Sequence, residues 1–116
     1  MTDREMLDLA ARAAGYVVES HHISGGAWVR PVGEMPDADG DYPGLFLWRP
    51  REDDGDALRL AVKLLFEIDM GRGCIGIRHA TGIKVLEAFN HDPYAATRRA
   101  IVRAAAEIGR QMEVQS

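Results

Sequence analysis

The chain has 116 residues, 47% of them hydrophobic and 28% charged, with a formal net charge of -4 and one cysteine, Cys74. That length holds a single domain, residues 1 to 116, with one core, and the composition excludes a disordered or collagen-like chain. The negative balance disfavours direct nucleic-acid binding and an anionic membrane surface, and a lone thiol excludes a disulfide framework or a thiolate zinc site.

Met1 to Arg12 mixes Asp3, Arg4, Glu5 and Asp8 among apolar residues, unlike a secretory signal. No stretch approaches the roughly 18 apolar residues of a membrane span, so a cytoplasmic location is expected. Thr2 and Glu5 have capping-box spacing, which predicts a helix to about Ala14 with Gly15 as its stop. Met6, Leu7, Leu9, Ala10, Ala13 and Ala14 give its apolar face, and Arg4, Asp8 and Arg12 form an i, i+4 charge ladder.

Tyr16 to Ser20 and Ala27 to Pro31 read as strands joined across Gly25-Gly26. Gly33 to Gly44, with Glu34, Asp37, Asp39 and Asp41, reads as an exposed acidic loop. Leu45 to Trp48 is a short buried strand, and Asp53, Asp54 and Asp56 stand where carboxylates cap a second helix, Ala57 to about Leu65. Only Arg59 and Lys63 interrupt the apolar surface of that helix. It is therefore expected to be covered on most sides, by the sheet and by another helix or a second subunit.

Phe66 to Asp69, Cys74 to Arg78 and Ile83 to Phe89 are three further strands with short glycine-containing loops, which imply antiparallel pairing. Asp92 caps a last helix that Pro93 begins and that runs to about Met112, with Tyr94, Thr97, Ile101, Ala105, Ile108 and Met112 as its inner stripe. The predicted fold is α/β in the α+β sense, an α-β-α sandwich of order α-βββ-α-βββ-α with a mainly antiparallel sheet.

No motif for catalysis stands out. Gly71-Arg72-Gly73-Cys74-Ile75-Gly76 matches a dinucleotide fingerprint in letters, but it leads into a strand and not a helix, so a hairpin turn is the better reading. Asp37, Asp39 and Asp41 alternate like calcium ligands, yet Tyr42 stands at the turn-glycine position and Trp48 at the bidentate glutamate position. His21, His22, His79 and His91 lack metal-binding spacing, with His21 and His22 pointing to opposite strand faces, and Cys74 reads as an inert, half-buried strand thiol. No catalytic residue, metal site or cofactor is expected.

Trp28 with Arg30, and Trp48 with Arg49, place an aromatic ring near a guanidinium, the pairing that stacks bases or fills interface pockets, although core packing also explains tryptophans. Arg72 and Arg78 add cations. Arg99, Arg103 and Glu107 read as a solvated face of the last helix.

Three separated segments carry a resemblance: Met1-Thr2-Asp3-Arg4-Glu5-Met6-Leu7 leading to Gly15-Tyr16; Trp48-Arg49-Pro50 followed by Asp53 to Val62; and Asp92 to Gly109. Over roughly half its length the chain resembles the phage ABA-sandwich domain, a family of small bacteriophage and prophage proteins. The resemblance implies an α-β-α layered fold, a phage origin and hence a bacterial host cell, and it brings no catalytic residues. Ser20 to Pro43 and Met70 to Asn90 lie outside it.

The leading expectation for function is a non-catalytic phage or prophage accessory protein that binds a host protein, with inhibition of an antiviral defence system as the concrete form. Asp37, Asp39 and Asp41 would offer its acidic surface. The alternative is a binder that sequesters a small signalling nucleotide, using Trp28, Arg30, Trp48, Arg72 or Arg78 for stacking and phosphate pairing. An uncharacterised enzyme, a minor virion component and a homo-oligomer remain further options.

Overall fold

A computed structural model of the chain describes residues 1–115. It has the expected order of elements, helix, three strands, helix, three strands, helix, and all strand pairing is antiparallel. The strands divide into two sheets of three: β1 (Tyr16–His21), β2 (Ala27–Pro31) and β3 (Phe46–Trp48) form one, and β4 (Glu67–Met70), β5 (Cys74–Arg78) and β6 (Lys84–Ala88) the other. Within each sheet the order in space follows the order in the chain, as short connections dictate. A bulge at Glu19 shifts the β1–β2 register between Val18 and Ser20.

Helix α1 (Asp3–Ala14) begins with the expected capping box: Glu5 N–H donates to Thr2 Oγ1 at 3.1 Å, and Thr2 N–H donates to Glu5 Oε2 at 3.4 Å. Gly15 ends it in the left-handed region at φ 82°. The predicted charge ladder is not formed. Asp8 pairs with His21 at 2.9 Å and Arg12 lies 3.8 Å from Glu113, because neighbouring elements come within reach of the same side chains.

Helix α2 (Asp54–Lys63) starts earlier than predicted, since Asp53 is its cap and accepts from Asp56 N–H at 2.8 Å. Asp56 instead ties the preceding loop, accepting from Arg49 N–H at 2.9 Å. The helix ends in a Schellman motif: Phe66 N–H reaches Ala61 O at 3.0 Å and Leu65 N–H reaches Val62 O at 3.2 Å. That motif puts Leu65 in the left-handed region at φ 57°, a place usually taken by glycine.

Helix α3 (Pro93–Gln115) is capped by Asp92, whose Oδ1 accepts from Ala95 N–H at 3.0 Å. Its buried face differs from the predicted stripe. Ala96, Ala100, Ile101, Val102, Ala104 and Ala105 are buried, while Tyr94 is 70% exposed and Met112 is exposed. The cause is that α3 is packed on several sides, against α1, α2, β5 and β6, so a wide arc of small residues is needed where two helices approach closely. At Gly109 the approach is close enough that a Cβ would lie 1.9 Å from Leu9 O, so no other residue fits without separating the helices.

One core joins both sheets to the helices, with Ala27, Val29 and Trp48 from the first sheet, Ile75, Ile77 and Val85 from the second, and Leu7, Leu60 and Ile101 from the helices. The molecule measures 52 × 31 × 24 Å, and elements at its rim have neighbours on only one side. Helix α2 is one of these. Leu58 is 58% exposed and Val62 63% exposed, so the expectation that α2 is covered on most sides is corrected: its inner residues Ala57, Leu60 and Ala61 are buried and its outer apolar stripe faces outward. No described helix is long and apolar enough to cross a membrane.

Candidate docking groove

The β4 tetrapeptide Glu67-Ile68-Asp69-Met70 alternates acid and apolar residue, and the sheet register assigns each set a face. Ile68 stands opposite Ile77 and Met70 opposite Ile75, on the side that faces the helices. Asp69 stands opposite Gly76, whose other neighbour is Leu86, and a Cβ on Gly76 would meet both side chains; this is the outer face. Glu67 lies on that same face and pairs with Arg78 at 3.3 Å.

Strand β4 is an edge strand, and the helices do not extend fully beneath it. The result is an open groove of about 530 Å³ whose walls are Ala57 and Leu58 of α2, Ile68 and Met70 of β4, and Tyr94 and Ile101 of α3. Its rim is polar at one place, where Arg98 donates to Asp54 Oδ1 at 2.6 Å and to Arg51 O at 2.9 Å. These bonds join α3 to the start of α2 and hold the groove at a set width. Beyond Leu58, the exposed side chain of Val62 one turn on continues the apolar stripe of α2, and Leu65 past the end of the helix is exposed as well.

The residues singled out from sequence fall elsewhere. Trp48 is 3% exposed and packs edge-on to Tyr16 at 5.4 Å, so it belongs to the core. Trp28 is 38% exposed on the opposite face of that sheet. Arg30 shares the face of Trp28, donates to Glu19 at 2.5 Å and lies 4.2 Å from the Tyr42 ring. The Glu19 hydrogen bond raises the Arg30 pKa above its ordinary value, with the opposing effect of desolvation smaller. Arg72 occupies the β4–β5 turn and Arg78 pairs with Glu67. The five are thus divided between two sheets and, in the first sheet, between its two faces.

Asp37, Asp39 and Asp41 do come together, with one carboxylate oxygen from each lying within 4.8 Å of the others. The turn itself gathers them: Asp37 Oδ1 accepts the N–H groups of Asp39 and Asp41, both at 2.9 Å. All three are exposed, as expected of this loop. Gly71-Arg72-Gly73 is a hairpin turn, closed by Gly71 N–H to Cys74 O at 2.9 Å.

His22 and His79 hold equivalent hairpin turns, His22-Ile23-Ser24-Gly25 and His79-Ala80-Thr81-Gly82, in which the ring Nδ1 accepts a backbone N–H two residues on, at 3.1 and 3.2 Å. Cys74 is exposed and not half-buried, since it lies at the strand end on the outer face. Arg99 and Arg103 are more than a solvated face, for both pair with Glu87 of β6.

Leu58, Ile68, Met70 and Tyr94 were not marked by any catalytic or binding motif. Their signal in the sequence is apolar residues on both sides of α2 and the acid-apolar alternation of β4. Together the fold and the groove define an α+β module with an open apolar cleft between a helix and an edge strand. Comparison of the sequence with known protein-family models, with curated proteins and with solved structures finds no match to any of them.

Proposed function

We propose that this protein is a non-catalytic binding module that docks a partner polypeptide in the groove between α2, β4 and the start of α3. The groove carries the proposal: a cleft of about 530 Å³ walled by Leu58, Ile68, Met70 and Tyr94 is an apolar concavity at the surface, where a partner's side chains would leave water. Its polar edge is the Asp54–Arg98 pair, so an apolar centre meets a charged rim as in a protein interface.

The finer assignment, a phage or prophage accessory protein acting on a host protein of the bacterial cytoplasm to blunt an antiviral defence, draws on the resemblance of Met1 to Tyr16, Trp48 to Val62 and Asp92 to Gly109 to the phage ABA-sandwich domain. Two measurements test the two levels. A photo-crosslinking amino acid at position 58, expressed in infected bacteria, should attach to one host protein, whereas the same group at Val32, exposed near Met112 at the opposite end of α3, should not. Equal labelling from both positions would count against the groove. Expression of the protein should raise plaque formation on a strain carrying the defence system that the captured protein serves, and Leu58→Asp should cancel the rise. Unchanged plaque counts with the native chain would remove the anti-defence role and leave the docking role standing.

A further inference from the structure

The free edge of β4 defines what kind of segment the groove accepts. An antiparallel ladder alternates bonded and non-bonded residue pairs. Counted from the Gly71–Cys74 bond, Asp69 and Glu67 bond to β5, which turns the N–H and C=O groups of Ile68 and Met70 toward the open edge. These same two residues send their side chains into the groove. A strand laid along β4 therefore finds backbone donors and acceptors and an apolar trough on the same residues.

Charge selects among possible strands. On the outer face the incoming side chains meet Glu67 and Asp69, and Asp69 has no ion-pair partner among the described residues. A second copy of β4 is a poor occupant. Antiparallel self-pairings centred on Glu67, Ile68 or Asp69 keep Ile68 and Met70 on the groove side but set Glu67 against Glu67, Glu67 against Asp69 or Asp69 against Asp69, and like charges directly opposite are destabilising.

We infer that the groove takes an extended segment of a partner protein in which apolar and basic residues alternate, added as a fourth strand beside β4. Its apolar side chains enter between Leu58, Ile68, Met70 and Tyr94, while its lysines or arginines lie over Glu67 and Asp69. The backbone bonds supply a shared template, and the alternation supplies specificity. The inference rests on the groove being the docking surface.

The test uses the full chain and three synthetic heptapeptides: one alternating lysine and leucine, one of the same composition with its leucines at helical spacing, and one with glutamate for lysine. Binding is followed by titration calorimetry and by amide hydrogen exchange. The alternating basic peptide should bind, slow exchange at the Ile68 and Met70 amides, and lose about tenfold or more in affinity in Asp69→Lys and in Leu58→Asp. Both substituted residues are exposed, and unchanged melting curves would verify the fold. The acidic peptide should not bind.

Equal or tighter binding of the helical-spacing peptide, abolished by Leu58→Asp, would overturn the strand mode and keep the groove. Binding of the alternating peptide without protection of Ile68 and Met70 would also overturn it. No binding by any peptide, or binding that Leu58→Asp leaves intact, would overturn the inference and remove the groove reading with it.

Discussion

Leu65 combines two costs that a purely structural residue avoids. It sits at φ 57°, where an L side chain other than glycine is strained by about 1 kcal/mol, and it is 81% exposed, so little burial offsets the strain. Leu65→Gly should therefore leave stability unchanged or raise it by up to about 1 kcal/mol, because relief of strain competes with the greater freedom of glycine in the unfolded chain. Urea unfolding measures this, and a loss of more than about 1 kcal/mol would show an unseen packing role. Glu87 is the opposite case. Its side chain is 17% exposed and accepts from Arg99 at 3.1 Å and from Arg103, so it joins β6 to α3. Glu87→Ala leaves two guanidinium groups without that partner and should cost about 1–3 kcal/mol, read from the shift in denaturation midpoint.

Helix α1 packs against helix α3, and at Gly109 the two backbones come so close that a Cβ would lie 1.9 Å from Leu9 O. Gly109→Ala gains helix propensity of about 1 kcal/mol but places a methyl group against Leu9 O. Overpacking against backbone should dominate, with a net loss of about 2 kcal/mol or more in thermal unfolding. Thr2→Ala removes the acceptor for Glu5 N–H and should cost about 1 kcal/mol by the same assay. Elements of this kind were legible in the sequence because capping is local. Thr2 with Glu5, Asp53 with Asp56, and Asp92 with Pro93 each act within one turn, and the structure places a helix start at all three.

At the scale of the molecule, α2 and β4 lie at the margin, with exposed apolar side chains around the groove. Such a surface would favour self-association if the edge were neutral, and the acids of β4 oppose it. Replacing Glu67 and Asp69 together by threonine should make the sedimentation coefficient rise with concentration more steeply than that of the native chain. Sedimentation that matches the native chain at every concentration would show that these acids do not guard the edge.

The sequence by itself determined the order of elements, the antiparallel turns, the helix caps and the exposure of the acidic loop, all of which depend on interactions between residues close in the chain. Tertiary structure decided which of two apolar stripes on α2 is buried, because Leu60 and Leu58 are equally apolar and only the packing of neighbouring elements separates them. It decided that Trp48 turns inward and Trp28 outward, and that Arg99 and Arg103 find Glu87 on a strand instead of Glu107 on their own helix. The groove belongs to the same class: its walls come from residues 57, 68 and 94, far apart in the chain, and only packing brings them together.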